Sequence, residues 1–148
     1  MTKLATYICD EKKAIISFSR MRLCNWNENA PNHYKNAINE LELIVNSASF
    51  NQSLPIALNF EGNFLDDTGI TNIVQFIKNN GIVKSNLRLI DFSNNRFTKE
   101  SLVHINGLLK DCKNLTSLDI SINYLSYDDV CEKIDEEFFP GKLKYSSV

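Results

Sequence analysis

The side chains best suited to nucleophilic or metal chemistry in this sequence are Cys9, Cys24, Cys112, Cys131, His33 and His104. A cysteine nucleophile needs an imidazole within hydrogen-bond reach, and a structural zinc needs four sulfur or nitrogen ligands, usually delivered as closely spaced pairs. The four cysteines form no Cys-x-x-Cys pair, and their spacings match no zinc module. His104 falls in a segment of helical periodicity, and Cys112 sits in an apolar-patterned slot. No Gly-rich phosphate loop, paired metal-ligand motif or nucleophile elbow occurs. The expectation is therefore a chain that is not an enzyme, takes no metal or cofactor, and keeps buried thiols in a reducing compartment.

The bulk properties narrow the partner class. With 148 residues, 43% hydrophobic and 23% charged, the chain can bury the core of one domain. A net charge of -2 and a pI near 5.7 offer no basic field for phosphate backbones, so nucleic acid is not the expected partner. The opening stretch "MTKLATYICDEKKAIISF" lacks a long apolar core and a small-residue cleavage site, and no run is long enough to span a bilayer. The chain is expected to be soluble and cytoplasmic, a monomer with no membrane partner.

The strongest signal is a pattern written more than once. "LRLIDFSNNRF" places Leu87, Ile90, Phe92, Asn95 and Phe97 at the offsets that recur 28 residues later in "LTSLDISINYL" as Leu115, Leu118, Ile120, Asn123 and Leu125. "PIALNFEGNFL" repeats Leu58, Phe60, Asn63 and Leu65 but has Pro55 in the first slot. "KAIISFSRMRL" gives Ile16, Phe18 and Leu23, with Met21 where Asn is due. Between these stretches run helical stripes: Ala37, Leu41, Ile44 and Val45; Ile70, Ile73, Val74, Phe76 and Ile77; Leu102, Ile105, Leu108 and Leu109; Val130, Ile134 and Phe138. Pro31 suits the start of the first, Asp67 or Thr68 can cap the second, Gly81 can end it, and Thr98 can cap the third. "NNGIVKSN", residues 79–86, holds the extra residues of the longer segment. At the ends, "LATYICDEKKAIISF" reads as a hairpin, and "PGKLKYSSV" as a closing strand with Leu143 and Tyr145 inward and Lys142 and Lys144 guarding the edge.

The form L-x-x-L-x-L-x-x-N-x-L, with "LLKDCKNLTSLDIS" as its fullest example, resembles the ribonuclease-inhibitor-like class of leucine-rich repeat proteins. The resemblance implies an α/β solenoid or horseshoe, with parallel strands on the concave face and helices on the convex face. It divides the chain into an N-terminal cap and atypical repeat (1–53), repeats at 54–86, 87–114 and 115–139, and a C-terminal cap (140–148). In such a fold the residues between the apolar strand positions face the concave side. That set contains Asn59, Asp91 and Asp119; then Glu61, Ser93 and Ser121; then Phe64, Arg96 and Tyr124. Either they form only the solvated face of a sheet, or they bind a protein partner through an acidic centre with an aromatic and Arg border. Trp26, in the irregular stretch "CNWNENAPNHY", either joins such a site from a loop or covers the first repeat's core. The implied function is a non-catalytic protein-interaction module; the alternatives are a regulatory inhibitor of an enzyme and a structural or assembly component. The Asn-, Ile- and Lys-rich composition is also similar to effectors that intracellular bacteria deliver into host cytosol.

Overall fold

The computed structural model describes residues 3–24 and 33–147. Strands β1 (Thr6–Cys9), β2 (Ala14–Ser17), β3 (Ile56–Asn59), β4 (Leu87–Asp91), β5 (Ser117–Asp119) and β6 (Leu143–Lys144) lie side by side in chain order. β1 and β2 form an antiparallel hairpin, and each later neighbour is parallel. Asp10 closes the hairpin: its Oδ1 accepts the N–H groups of Lys12 (2.7 Å) and Lys13 (2.9 Å). Those two backbone donors hold the Asp10 carboxyl below its usual range.

Parallel neighbours need crossovers, which here carry α1 (Tyr34–Val45), α2 (Asp67–Asn79), α3 (Gly81–Asn86), α4 (Leu102–Asp111) and α5 (Tyr127–Lys133). Crossovers that advance one strand at a time with one hand put all helices on the same face of the sheet. Accordingly α1 packs beside α2, α2 beside α4, and α4 beside α5. Alternate strand residues point to that face: Ile16, Leu58, Ile90 and Leu118 sit in one register row. All four are fully buried and share one core with the Ile70/Ile73/Ile77 and Leu102/Ile105/Leu108 stripes. Each such side chain stabilises the fold by about 1.5–3 kcal/mol. Just past the strands, Phe18, Phe60 and Phe92 stack ring on ring, with centroids 5.1 Å and then 5.7 Å apart.

The recurring asparagines knit the turns that follow the strands. Asn95 Nδ2 donates to the carbonyls of Phe60 (3.0 Å), Phe92 (2.9 Å) and Ser93 (3.1 Å), and its Oδ1 accepts from Asn63 N (2.9 Å) and Leu65 N (3.0 Å). Asn63 does the same one turn earlier, donating to Phe18 O (2.8 Å) and Phe60 O (3.0 Å) and accepting from Met21 N (2.7 Å). Asn123 donates to Phe92 O and Ile120 O, both at 3.1 Å, but its buried Oδ1 has no partner among the described residues. These amides satisfy main-chain groups that lie beyond the strand ladder and would otherwise be buried bare.

Several expected details change. The cap of α2 is Asp66, whose Oδ1 accepts Gly69 N at 2.8 Å. Asp67 instead ties α2 to the next segment, accepting from Thr98 N (2.9 Å), Thr98 Oγ1 (2.7 Å) and the buried Ser101 hydroxyl. Gly81 starts α3 rather than only ending α2, because Asn80 caps a new turn by accepting Val83 N at 3.0 Å. α5 stops at Lys133, so Phe138 lies outside the helix; the chain leaves by donating Asp135 N to Asn106 Oδ1 at 3.0 Å. Ile44 and Phe76 are only partly buried. Lys142 does not guard the β6 edge: its Nζ donates to the carbonyls of Leu109 (3.1 Å) and Cys112 (3.4 Å) at the end of α4. Leu143 and Tyr145 do turn inward, Tyr145 donating its hydroxyl to Leu125 O at 2.8 Å. Pro31 lies outside the described residues. No helix among the described residues is long and apolar enough to cross a membrane.

Candidate functional site

The face of the sheet opposite the helices carries no covering element among the described residues, and its side chains fall into register rows. One row runs Ser17, Asn59, Asp91, Asp119, Lys144 across five strands. Its members first serve the backbone. Asn59 Oδ1 accepts Glu61 N (2.9 Å), Asp91 Oδ1 accepts Ser93 N (2.8 Å), and Asp119 Oδ1 accepts Ser121 N (2.9 Å). Each is therefore an Asx turn that ends its strand, a role the sequence reading did not assign. One oxygen of each carboxylate is used this way. Glu61 is engaged too, accepting Ser19 Oγ at 2.9 Å and pairing with Arg20 at 3.0 Å. Ser93 and Ser121 are half-buried beside it in the outward set. The acidic centre is thus present, but much of its hydrogen-bonding capacity is spent on turns.

At the carboxyl ends of the strands the structure brings Phe64, Arg96 and Tyr124 to one groove of about 330 Å³, with Asn94 and Ile122 between them. Phe64 is 39% exposed, Ile122 45% and Tyr124 63%. The backbone here is unusual. Arg20, Gly62, Asn94 and Ile122 occupy the same turn position and all have left-handed φ, at 56°, 72°, 57° and 56°. Gly62 fits for two reasons, since a Cβ there would also lie 3.0 Å from Arg20 Cγ. Ile122 does not fit: a β-branched side chain in this region is strained by roughly 1–3 kcal/mol. Phe64, two residues past Gly62, is also left-handed at 56°. Two bulky apolar side chains are thus held at the surface in a conformation that favours glycine.

At the opposite ends of the strands lies a second row that the sequence reading passed over. Ile8, Ile15, Ala57 and Leu89 are aligned strand to strand, and Ile8 is 58% and Leu89 42% exposed. Ala57 is the small member, and a groove of about 440 Å³ opens over it, bordered by Lys13, Arg88, Asn59 and Asp91. The legible signal was an apolar residue just ahead of the second buried slot in three successive segments: Ile15, Ala57 and Leu89. Arg88 reaches this position through a break in register. Ile56 pairs with Leu87 but Ala57 pairs with Leu89, so Arg88 is an extra residue in β4. The buried residues of β3, Ile56 and Leu58, are two apart like Ala14 and Ile16 of β2, whereas Leu87 and Ile90 of β4 are three apart, and β4 absorbs the difference as a bulge.

Trp26 lies outside the described residues. His33 flanks α1, its Nδ1 3.4 Å from Asn36 Nδ2, and His104 is on α4 at the helix side of the sheet. The cysteines divide, contrary to the expectation of uniformly buried thiols. Cys24 and Cys112 are buried, and burial pushes both thiols up to about 11; Cys9 and Cys131 are exposed. Iodoacetamide applied to the native protein near neutral pH is expected to alkylate Cys9 and Cys131 and spare Cys24 and Cys112, with all four reacting in denaturant. Peptide mapping by mass spectrometry checks this; native labelling of Cys24 or Cys112 would contradict the burial. No protein-family model, curated protein or solved structure matches the chain.

Proposed function

We propose that this chain is a leucine-rich repeat solenoid of the ribonuclease-inhibitor-like class and acts as a non-catalytic module that binds a protein on its open strand face. The fold part of this reading is supported by parallel strands advancing in chain order and by the Asn63, Asn95 and Asn123 amides recurring at equivalent turns. The binding part rests on one observation: Phe64, Arg96 and Tyr124 meet at a single groove, flanked by the strained and exposed Ile122. Exposed apolar side chains in left-handed backbone add nothing to the core, and strain retained at a surface is characteristic of binding and switch regions. Aromatic and Arg side chains are the residue types that dominate binding energy at protein interfaces. A standard interface of about 800 Å² per partner would occupy most of such a face.

The test is affinity capture from a eukaryotic cytosolic extract with wild type and a Phe64→Ala/Arg96→Ala/Tyr124→Ala variant, followed by titration with the purified partner. Wild type is expected to retain a specific protein. The variant should bind it at least about 100-fold more weakly, as loss of two or more hot-spot contacts predicts. Its thermal midpoint should stay close to that of wild type, because these side chains lie outside the core. Undiminished binding by the folded variant would remove the site from this groove.

A further inference from the structure

The groove at the carboxyl ends of the strands also carries a charge pattern. Among the described residues that line it, Arg96 alone is charged; Phe64, Asn94, Ile122 and Tyr124 are neutral. Arg96 is half-buried, and its side chain makes no ion pair or hydrogen bond among the described residues. No guanidinium nitrogen of Arg96 is buried without a partner, in contrast to Arg88 Nη1. Arg22 extends the pattern. Arg20 N donates to Glu61 O (2.9 Å) and Cys24 N to Asn63 O (3.1 Å), which holds Arg22 alongside the turn that leads into Phe64. Arg22 is exposed and likewise makes no ion pair among the described residues. From segment to segment the edge therefore runs Arg22, Phe64, Arg96, Tyr124, cation and aromatic in alternation. The acids of the adjoining turns are committed elsewhere. Glu61 pairs with Arg20, Asp66 caps α2, and Asp67 holds Thr98 and Ser101.

We infer that this edge receives a segment of the protein partner in which acidic residues alternate with apolar ones, carboxylates on Arg22 and Arg96 and apolar side chains on Phe64 and Tyr124. This rests on the protein-binding reading above and adds the chemistry of the bound segment. Charge complementarity carries it: two cations without ion pairs stand on either side of Phe64, and no acid lines the groove. The planar fork of Arg matches a carboxylate, and the aromatic faces supply apolar contact beside it. Asp91 and Asp119 set how the segment lies. They pair strand to strand further back on the open face, so an acidic segment is held along the edge and repelled from the centre. The same row disfavours a nucleic-acid strand, whose phosphates would meet it, as does the net charge of -2.

The probes are acetyl-Glu-Leu-Glu-Leu-amide, its counterparts with Gln or Lys in place of both Glu residues, and a short oligouridylate. Each is titrated into ¹⁵N-labelled protein at about 10 mM salt, where exposed charges are weakly screened. The Glu peptide is expected to give saturable shifts at the Phe64, Asn94, Arg96 and Tyr124 amides. Its affinity should exceed that of the Gln peptide about fivefold or more, the size expected of two partly exposed ion pairs. An Arg22→Glu/Arg96→Glu variant should turn the preference to the Lys peptide while keeping spectral dispersion. If that variant does not fold, Arg22→Gln/Arg96→Gln serves instead and should abolish the Glu preference. Equal binding of the Glu and Gln peptides, a Glu preference retained in either variant, or no saturable shift at these amides would each overturn the proposal. Oligouridylate binding at the same amides as tightly as the Glu peptide would overturn the assignment to an acidic protein segment. If the peptides fail while the Phe64/Arg96/Tyr124 variant still loses its partner, the acidic-segment proposal falls and the protein-binding reading stands.

Discussion

Phe60→Ala is expected to lower the unfolding free energy by about 3–5 kcal/mol, in the range for a large aromatic removed from a tight core. Phe60 is the middle ring of three, 5.1 Å from Phe18 and 5.7 Å from Phe92, with interplanar angles of 6° and 25°. It is 1% exposed. The flanking rings cannot slide inward to fill the hole, because their backbones are fixed by hydrogen bonds: Phe18 N to Asn59 O at 2.7 Å and Phe92 N to Asp119 O at 2.8 Å. The cavity should therefore persist. Urea titration with tryptophan or circular dichroism detection measures it, as a lowered midpoint with little change in slope. Phe60→Leu should recover more than half of the loss. A loss below about 1 kcal/mol for Phe60→Ala would mean that the stack contributes little beyond what its neighbours can repack.

The second large effect is Asn95→Ala, expected to cost about 3–4 kcal/mol, because each main-chain group left buried and unpaired is worth about 1–3 kcal/mol. Asn95 is 6% exposed, and its loss leaves two N–H groups, Asn63 N and Leu65 N, unpaired, while its three carbonyl partners keep bonds from Asn63 Nδ2, Asn123 Nδ2 and Gly62 N. The comparison with Asn123→Ala makes the prediction sharp. Among the described residues Asn123 serves only carbonyls, and its own Oδ1 is already buried without a partner. Its removal leaves no N–H unpaired and deletes one unsatisfied atom, so the expected cost is about 1–2 kcal/mol. Two of its carbonyls keep another bond, Phe92 O from Asn95 and Ser121 O from Asn94 N, both at 2.9 Å. Equal losses at the two positions would contradict the hydrogen-bond assignment.

Much of the fold was legible because burial imposes a period. The row Ile16, Leu58, Ile90 and Leu118, the asparagines at 63, 95 and 123, and the α4 stripe from Leu102 to Leu109 all follow from which side chains must leave water. The terminal hairpin followed from a polar turn between two apolar stretches. The misses share a different cause, in that each depends on a partner far along the chain. Asp67 looks like a helix cap until Thr98 and Ser101 arrive to claim its oxygens. Lys142 looks like an edge guard until the carbonyl end of α4 is placed beside it. α5 looks a turn longer until Ile134 turns extended and Asp135 N goes to Asn106 on α4.

The candidate site divides in the same way. Phe64, Arg96 and Tyr124 could be named from their common offset in the pattern, and they do meet. The left-handed backbone at Phe64 and Ile122 could not be, since neither residue type favours it. The Arg88 groove was hidden for a further reason. It depends on a difference in spacing between neighbouring strands, two residues from Ile56 to Leu58 against three from Leu87 to Ile90, and alignment of the segments by offset treats Arg88 as an ordinary position.

The asparagine amides have a direction. Asn63 reaches back to Phe18 and Met21, Asn95 reaches back to Phe60, Asn63 and Leu65, and Asn123 reaches back to Phe92. Each amide thus finds its distant partners in chain that precedes it, and none waits on residues still to come. On a ribosome, where residues emerge from the N-terminus at a finite rate, this ladder can close rung by rung as it is made. The earlier turn is the one that waits: Met21 N gains its acceptor when Asn63 arrives, and Asn63 N and Leu65 N gain theirs when Asn95 does. A fragment beginning after Arg22 would strip Asn63 of its distant partners, Phe18 and Met21, whereas one ending after Lys133 would keep all three amides bonded.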